Sequence, residues 1–467
     1  MFVGRERELE TLSRLYDESN FQMVVIYGRR RIGKTKLISE FVKDKPAIFF
    51  TAQEVNDSLN LNELSKKIYR FFDIPESTGP FSNWISVFDF LAVKAKENRF
   101  VFAFDEFPYA VTANHSLKSI LQTAIDHSFQ DSGLFLILCG SHIGFMESEV
   151  LGYKSPLFGR RTAQIKLEGF DYFDAAKMLG AFSNEDKLKL YACVGGTPHY
   201  ISQIKSSETF ADNIKRLFFD NSGYLYNEPM MLLQQELREP ALYNSIIMAI
   251  AGGASRLNEI ATRIGEDSPK VSKYLQTLYS MQIVRKVFPF GENMETSRKG
   301  IYAIEDNCYR FSFRFVFANK PEIESGNGDI IADTLIGGQE LASYIGKPPF
   351  ETICLQYLRR AGRSGKLPFT ATSFGSWWGN DPLSKSQADI DVIAANRVTK
   401  QAIIGECKWT SNVTITAALK QLIVKNHLLP EYTDLRYYIF LKAFVQKSII
   451  SHEATVITTD DLYDGIE

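Results

Sequence analysis

Eight consecutive residues near the start of the chain have the types and the spacing that bind phosphate groups. Residues 28–35 read Gly-Arg-Arg-Arg-Ile-Gly-Lys-Thr, which fits the pattern G-x-x-x-x-G-K-[ST]. The segment follows an apolar run that predicts a β-strand, Met23–Tyr27. It leads into an amphipathic run that predicts a helix, Thr35–Lys43. A loop between a strand and a helix N-terminus turns its backbone N–H groups toward an anion. We therefore expect Lys34 to reach the β- and γ-phosphates of a nucleotide and the Thr35 hydroxyl to bind Mg²⁺.

Two adjacent carboxylates end a later apolar run. The segment Arg99–Phe104 predicts a buried strand, and Asp105 and Glu106 follow it directly. Open α/β sheets bind ligands at the carboxyl edge of their strands, where this pair would lie. We predict that Asp105 holds Mg²⁺, directly or through water, and that Glu106 polarises the attacking water. The alternative is a plain helix start for the acid pair and a solvated basic turn for Arg29–Arg31.

Polar residues after the next strand extend this predicted site. The run Leu134–Cys139 ends in Gly140-Ser141, and the Ser141 hydroxyl could sense the γ-phosphate or the attacking water. Arg160 and Arg161 follow a turn further along the chain. Arginine stabilises the charge of phosphoryl transfer, either within one chain or across a subunit boundary of a homo-oligomer. Two ordinary surface arginines are an equal alternative, because no spacing rule fixes their position.

The last part of the chain contains a second group of chemically active residues, on two strand-like runs joined by a short polar turn. Asp391 lies in the first run and Glu406 in the second. If the hairpin is symmetric about Val398 and Thr399, these carboxylates are directly opposed, with Cβ atoms about 5 Å apart. Two carboxylates this close repel each other unless a cation lies between them. The pattern therefore predicts a Mg²⁺ ion at this position.

A lysine accompanies the carboxylate pair. Lys408 shares a strand face with Glu406 and could orient the attacking water or stabilise the developing charge. The same register places Lys408 opposite Asp389, so a solvated face with a weak Asp389–Lys408 ion pair is the alternative. A register shift by one residue is also open, because the turn type cannot be read from the sequence. Upstream, Glu351 lies near the start of an amphipathic helix, Phe350–Leu358.

The pattern at residues 240–305 is typical of a winged helix-turn-helix. Ser268 and Pro269 read as a helix cap and a first helical residue. A buried face at helical spacing is predicted to follow, from Val271 to Leu278. These residues fit either phosphate contacts on DNA or an internal packing module, and the sequence favours neither. The basic residues on the opposite face and around the following hairpin are Lys270, Lys273, Arg285, Lys286, Arg298 and Lys299.

Composition limits the classes of protein to which the chain can belong. Its 467 residues, 45% apolar and 23% charged, suggest several globular domains. The net charge of −2 gives no general attraction to nucleic acid, so a DNA-binding surface would have to be local. The five cysteines form no C-x-x-C pair, which argues against disulfides and a zinc site. A charged N-terminus and short apolar runs predict a soluble, cytoplasmic protein with no membrane partner.

The motifs of the first half resemble the archaeal-type ATPase family, within the AAA+ and STAND groups of P-loop ATPases. The resemblance covers roughly residues 1–235 and adds the segments Phe2–Glu6, Leu157–Arg161 and Gly195–Pro198 to the motifs above. It implies ATP or ADP as the ligand, with residues 3–5 near the adenine. The expected nucleotide-binding residues are Val3, Gly4, Arg5, Gly28, Arg29, Arg30, Arg31, Ile32, Gly33, Lys34, Thr35, Lys36, Ser141, Arg160, Arg161 and Pro198.

The second group of residues resembles the PD-(D/E)xK nuclease superfamily, with an Asp strand, a Glu-x-Lys strand and a helical Glu upstream. Trp377-Trp378-Gly379 also resembles a C-terminal domain of unknown function that accompanies these ATPases. The resemblance covers about residues 335–430 and departs from the superfamily pattern at Ile390, where proline is usual. It implies Asp391, Glu406 and Glu351 as metal ligands and Lys408 as the catalytic lysine.

The predicted fold class is α/β multidomain, and the predicted cofactors are ATP and Mg²⁺. The expected parts are a P-loop ATPase core with a parallel sheet (1–165), a helical lid (166–237), a winged helix (238–310), a linker (311–334) and a mixed α/β, restriction-endonuclease-like domain (335–467). The leading hypothesis is ATP-controlled, Mg²⁺-dependent phosphodiester cleavage of DNA or another nucleic acid. Its rival is an ATP-dependent switch whose C-terminal domain only binds DNA or protein.

Overall fold

The computed structural model of the protein describes residues 2–410, 413–443 and 453–464. Contacts within the chain group it into two compact units, Met1–Gly169 and Phe170–Glu467. Each unit has its own sheet and its own hydrophobic core.

The first unit is built on a parallel β-sheet. Its strands are β1 (Gln22–Tyr27), β2 (Ala47–Thr51), β3 (Val101–Asp105), β4 (Phe135–Gly140) and β5 (Ala163–Lys166). They lie in the order β2-β3-β4-β1-β5, and each neighbouring pair is parallel. The helices are α1 (Glu6–Asp17), α2 (Lys34–Phe41), α3 (Asp57–Phe71), α4 (Trp84–Glu97), α5 (Phe107–Ala113), α6 (Leu117–Ala124) and α7 (Ile143–Phe145).

Both faces of this sheet are covered by helices, which explains why its strands are so apolar. Every residue of β1, β3 and β4 is buried. One face packs against α3, α4, α5 and α6, and the other packs against α1 and α2. A parallel sheet with two buried faces requires continuous apolar strands rather than alternating ones. The predicted P-loop parallel sheet is confirmed.

The second unit begins with helices and a short hairpin. The helices are α8 (Tyr172–Lys177), α9 (Asn184–Val194), α10 (Pro198–Ile201), α11 (Phe210–Ile214), α12 (Glu228–Glu236), α13 (Pro240–Ala251), α14 (Leu257–Ile264) and α15 (Ser268–Ser280). The hairpin pairs β6 (Val284–Val287) with β7 (Ile301–Ile304) in antiparallel fashion. This order of elements is the one expected for a winged helix, whose identity stays a prediction.

Helix α15 follows its predicted pattern with one difference. Val271 and Leu278 are fully buried, in agreement with the helical spacing. The cap is Asp267 rather than Ser268, because the Asp267 side chain accepts a hydrogen bond from the backbone N–H of Lys270. A carboxylate suits this position, since it also offsets the positive end of the helix dipole.

The predicted linker at residues 311–334 is helical instead. The segment contains successive turns that lead from α16 (Asn307–Phe311) through α17 (Lys320–Glu322) into α18 (Gly328–Gly337). Side chains such as Phe313 and Ile323 are buried in it. The glycines that suggested a loop are required by backbone conformation and by close packing. Gly326 has φ +86°, and a Cβ on Gly328 would lie 1.8 Å from the carbonyl oxygen of Phe219.

A mixed sheet forms the end of the second unit. Its strands are β8 (Ser373–Asn380), β9 (Gln387–Asn396), β10 (Gln401–Lys408), β11 (Asp434–Leu441) and β12 (Ala454–Ile457). In the described residues their order is β12-β11-β10-β9-β8, antiparallel between β8, β9 and β10 and parallel beyond β10. Helices α19 (Gln339–Ile345) and α20 (Glu351–Arg363) precede the sheet, and α21 (Ile415–Val424) packs on its core. None of the described helices is long and apolar enough to cross a membrane.

Candidate functional site

The loop at residues 28–35 has the backbone geometry of an anion cradle. The Lys34 ammonium donates to the carbonyl oxygens of Gly28 and Arg29, both at 2.9 Å, so its side chain lies across the loop. Gly33, at φ +93°, turns the chain into α2. Gly28 is required by close approach, because a Cβ there would lie 2.4 Å from the carbonyl oxygen of Leu167. The loop leads directly into the N-terminus of α2, and a helix N-terminus favours an anion.

The strand order brings the predicted magnesium residues together. Strand β4 lies between β1 and β3, so the loop after β1 and the acids after β3 reach the same sheet edge. The Thr35 hydroxyl donates to Asp105 Oδ2 at 3.0 Å. Asp105 is buried, and the buried Cys139 thiol of β4 also hydrogen-bonds to it. One hydroxyl and one carboxylate oxygen thus lie within hydrogen-bond distance of each other, and magnesium prefers oxygen ligands of these kinds.

Glu106 is held by the residue predicted to sense the nucleotide. The Ser141 hydroxyl donates to Glu106 Oε1 at 2.5 Å, and its backbone N–H donates to Oε2 at 3.3 Å. Glu106 has φ +50° and ψ +41°, in the left-handed region. A non-glycine residue there costs about 1–3 kcal/mol and often marks a functional site. The structure therefore joins Glu106 and Ser141 into one acid–hydroxyl pair.

Residues from the N-terminus and from α5 brace the loop. Arg5 is buried, and its guanidinium donates to the carbonyl oxygens of Ile32 at 3.3 Å and Glu168 at 2.6 Å. The segment predicted near the adenine, Val3–Arg5, therefore begins beside the phosphate loop. Arg30 donates to the Tyr109 hydroxyl at 2.8 Å, which ties the loop to the helix that follows Glu106. Tyr109 was not predicted, because no motif marks it.

Arg160 forms an ion pair within the first unit, and its predicted contact with the nucleotide stays a prediction. Its Nε and Nη2 donate to the two carboxylate oxygens of Asp126 at 2.7 and 2.6 Å. Its Nη1 donates to the carbonyl oxygen of Pro156 at 2.8 Å. These contacts hold the guanidinium against the loop before β5. Arg161 is half-buried near the Tyr27 hydroxyl at the end of β1, so its predicted role is still open.

Pro198 begins α10 in the second unit, and its predicted nucleotide contact stays a prediction. The glycines before it have a structural explanation. A Cβ on Gly196 would lie 1.9 Å from the carbonyl oxygen of Phe170, and the Gly196 carbonyl accepts from the Phe170 N–H at 2.7 Å. This motif therefore closes a tight backbone contact inside the second unit.

The second candidate site lies where β9 and β10 stop pairing. Their register, which ends at Val392 opposite Gly405, is the one predicted, and it would next bring Asp391 opposite Glu406. On the other side of β9, the register with β8 shifts at Asp391 and Val392, which together face Ser376. This β-bulge turns Asp391 out of the ladder. Its carboxylate instead accepts a hydrogen bond from the Cys407 backbone N–H at 2.8 Å.

Lysines form ion pairs with the carboxylates of this cluster. Glu406 is 7% exposed and is paired with Lys408 at 2.6 Å and Lys425 at 3.3 Å. Lys347 pairs with Glu351 at 3.2 Å and with Asp389 at 3.0 Å. The ion pair of Asp389 is therefore with Lys347, and not with Lys408 as the alternative of a solvated face expected. Within the described part of the chain, no three His, Cys, Asp or Glu side chains already surround one metal position.

The acids of this cluster are electrostatically strained. Burial and the neighbouring Glu406 raise the pKa of Asp391 to about 6. Burial and the neighbouring Asp391 raise the pKa of Glu351 to about 7. Burial lowers the pKa of Lys408, but the Glu406 carboxylate outweighs it and raises that pKa overall. Glu351, Asp391, Glu406 and Lys408 therefore act on one another, as a shared site requires.

Two lysines of this cluster were missed by sequence reasoning. Lys347 precedes α20 by four residues, and Lys425 follows α21 directly. Neither lies in the Asp and Glu-x-Lys strands, and their approach depends on how two helices pack on the sheet. A helical Lys at the end of an apolar segment is ordinarily a solvated residue, so the sequence contained no signal for them.

The basic residues around the β6–β7 hairpin are mostly engaged within the second unit. Lys270 pairs with Glu266, Lys299 pairs with Glu292, and Lys286 lies over the Tyr302 ring. Arg285 pairs with Glu305 at 3.1 Å. On α15, Lys273 is exposed to solvent. Both predictions for this region, DNA contact and internal packing, therefore stay open.

Comparisons with known proteins show what the chain is similar to. Residues 2–204 match a family model described as an ATPase domain predominantly from Archaea. Residues 312–420 match one described as archaeal and bacterial proteins of unknown function. The chain is 31% identical over 409 residues to the uncharacterized protein MJECL04 of Methanocaldococcus jannaschii, and the match covers 88% of each protein.

Two further matches are to an ATP-binding protein and to the structure of an ATPase. The uncharacterized ATP-binding protein MJ0423 of the same organism is 49% identical over 45 residues, which cover 10% of this chain and 76% of that one. The structure of the Walker-type ATPase PABY2304 of Pyrococcus abyssi is similar with a TM-score of 0.53 and 20% identity. That match covers 67% of this chain and 96% of the other, and it bears on the fold alone.

Proposed function

This chain belongs to the archaeal-type ATPase family that it shares with MJECL04, and on that premise we propose how its first unit uses ATP. Residues 28–35 bind the phosphates of ATP, and Lys34 leaves the loop carbonyls to contact the β- and γ-phosphates. Thr35 and Asp105 would hold Mg²⁺, which neutralises phosphate charge when bound. The hydrogen bond between Thr35 and Asp105, at 3.0 Å, is the observation that carries this proposal.

Glu106 is the proposed general base for hydrolysis. In the structure the Ser141 hydroxyl occupies one of its carboxylate oxygens. If the γ-phosphate accepts the hydrogen bond of the Ser141 hydroxyl, Glu106 Oε1 is released to orient and deprotonate water. Ser141 would thereby link the presence of the γ-phosphate to the activity of the base.

Glu106→Gln tests this assignment. The amide keeps the shape of the side chain but lacks the charge that activates water, so ATP binding should persist while turnover falls by about 10² or more. Turnover is measured as phosphate release with Mg²⁺, and binding by calorimetry with EDTA-free buffer. The matched control is Glu97→Gln, at an exposed site on α4 that pairs only with Lys94 among the contacts described. Equal turnover in Glu106→Gln and the wild type would contradict the assignment.

We also propose a metal-dependent phosphodiesterase site in the second unit. The observation that favours it is the grouping of Glu351, Asp391, Glu406 and Lys408 at the bulged end of β9. The three carboxylates would hold Mg²⁺, which polarises a phosphodiester when bound. Because the pKa values of Glu351 and Asp391 are raised, a divalent cation would relieve their repulsion. Lys408 would leave its ion pair with Glu406 and bind the negatively charged phosphate instead.

A cleavage assay separates this proposal from its rival. Single- and double-stranded DNA and RNA are incubated with the protein, with and without ATP and with Mg²⁺ or Mn²⁺. Asp391→Ala and Lys408→Ala should each stop cleavage while ATP hydrolysis continues. Asp434→Asn is the control, because this exposed acid begins β11 and pairs with Arg436. Wild-type protein that binds no divalent cation in the second unit and cleaves no substrate would favour the non-cleaving switch.

A further inference from the structure

We infer that the connection between β6 and β7 positions the carboxylates of the second site, with Phe290 as its main contact. The inference rests on the proposed carboxylate site but concerns the hairpin, which no part of that proposal uses. Phe290 lies in the connection, three residues after β6 ends.

Phe290 attaches the hairpin to the sheet at the bulge. Its backbone N–H donates to the Ser376 carbonyl oxygen at 2.8 Å. Ser376 is the β8 residue that faces the two bulge residues Asp391 and Val392. Strand β8 is the edge of the sheet among the described strands, so this hydrogen bond also occupies part of an otherwise unpaired edge. A bulge persists only if its surroundings favour it over a regular ladder, and Phe290 is part of those surroundings.

The Phe290 ring adds apolar contacts to this backbone hydrogen bond. It packs against the core of the C-terminal sheet and lies 6.2 Å from the Tyr432 ring, centre to centre. It also covers Gly375, where a Cβ would lie 3.1 Å from Phe290 Cδ2. The ring therefore leaves little room for a side chain at position 375. This close contact fixes the position of β8 beside the bulge.

A second contact from the hairpin reaches the helix that carries the third acid. Arg285 of β6 lies 3.5 Å from the Thr352 hydroxyl, measured from Nη2 to Oγ1. Thr352 follows Glu351 directly, and its hydroxyl donates to the Pro348 carbonyl oxygen at 3.0 Å. The hairpin thus contacts both elements that bring acids to the site, the bulge of β9 through β8 and the start of α20. It would set the distance between Asp391 and Glu351.

The experiment uses the full-length protein and three variants of one contact. Phe290→Ala removes the ring, and Gly375→Ala forces a Cβ against it. The double variant should be no worse than Phe290→Ala alone, because the added methyl then has room. Met294→Ala is the control, since Met294 lies in the same connection and is 72% exposed.

Two measurements are made on each variant. Hydrogen exchange followed by mass spectrometry reports the Cys407 amide, which is protected by Asp391. Calorimetry with Mn²⁺ reports the metal affinity of the second unit. We expect exchange in peptides around residues 388–392 and 405–408 to rise in Phe290→Ala and Gly375→Ala, and the Mn²⁺ affinity to fall by about tenfold, which is typical when the support of a ligand is lost. Exchange in β11 and ATP turnover should stay as in the wild type.

The outcomes distinguish this inference from the function on which it rests. Faster exchange at these peptides in a protein that binds no Mn²⁺ would uphold the positioning role and remove the metal site. Normal exchange and normal Mn²⁺ affinity in Phe290→Ala would overturn the inference and leave the metal site intact. Exchange that rises equally in β11 would also overturn it, because the ring would then be supporting the whole fold.

Discussion

The two candidate sites differ in what holds their charges. In the first unit, backbone groups form the cradle, and the few side chains come from the ends of three adjacent parallel strands. In the second unit, side chains form the candidate site. Its acids and lysines come from two strands and from the ends of two helices, and most are held in mutual ion pairs. A backbone cradle is insensitive to most substitutions outside its glycines and its lysine. A cluster of buried charges changes its behaviour whenever one partner is altered.

The largest effect is expected at the cradle. Lys34→Ala removes the cation that serves the β- and γ-phosphates, so ATP turnover should fall by about 10²–10³-fold or more, together with most nucleotide affinity. Steady-state phosphate release measures the first effect and calorimetry the second. Lys43→Ala is the control, because Lys43 lies beyond α2 and its side chain is 69% exposed. Retained turnover would mean that phosphate binding does not depend on this loop.

The second prediction concerns the strained acids, where one substitution should stabilise the protein. The pKa of Asp391 is about 6 in the folded state, above the usual value near 4, so folding favours the protonated form. Its contribution to stability is therefore complete below about pH 4 and is lost as the pH rises through 6. Asp391→Asn keeps an oxygen acceptor for the Cys407 N–H and removes the charge. It should raise the free energy of unfolding of the second unit by roughly 1–3 kcal/mol at pH 8 and have little effect at pH 4.

Thermal unfolding at several pH values without divalent cations checks this prediction. Glu351→Gln should act in the same direction with its midpoint nearer pH 7, because burial and Asp391 raise the pKa of Glu351 to about 7. Glu340→Gln, at an exposed position of α19, serves as the control. A loss of stability in Asp391→Asn at pH 8 would show that the carboxylate is a net structural partner rather than a strained ligand.

This contrast also explains what could be predicted from the sequence. The loop, its strand and its helix are local, so the pattern of residues 28–35 was sufficient to place Lys34 and Thr35. Asp105 required only that a parallel sheet would bring its strand to the same edge, and the continuous apolar runs indicated that sheet. Glu106 and Ser141 could be assigned to one edge in the same way, but their direct hydrogen bond could not be predicted.

The second site was predictable only as far as its hairpin. The symmetric turn gave the register that ends at Val392 opposite Gly405, and this part agrees with the structure. The bulge at Asp391 depends on β8, whose pairing no short pattern specifies. Lys347 and Lys425 depend on helix packing over long sequence separations. The pair between Arg160 and Asp126, at 2.6 Å, could not be predicted, because the two residues are 34 positions apart and Asp126 belongs to no motif.

A smaller effect is expected from the lysines that stand opposite the acids. Lys425 lies 3.3 Å from Glu406 and would have to give way to a metal ion bound by that carboxylate. Lys425→Gln removes this competition, so the Mn²⁺ affinity should rise by roughly two- to tenfold, about 0.4–1.4 kcal/mol. Calorimetry measures it. Lys420→Gln, an exposed lysine of α21, is the matched control. An unchanged affinity would mean that Lys425 stays with Glu406 when metal is bound.

The smallest effect is expected on α15, and it tests whether nucleic acid binds outside the carboxylate site. Lys273 is exposed on this helix, whereas Lys286, on the hairpin, lies over the Tyr302 ring within the second unit. If α15 contacts phosphates, Lys273→Glu should weaken DNA binding and reduce the slope of log affinity against log salt by roughly 0.9, because one phosphate contact releases about one counterion. Lys286 is exposed on β6 as well, so Lys286→Glu tests the hairpin in the same way. A fluorescence titration of a short duplex at several salt concentrations gives both slopes. Equal slopes for the wild type and both variants would favour a packing module for α13 to β7, and any DNA contact would then be sought at the carboxylate site.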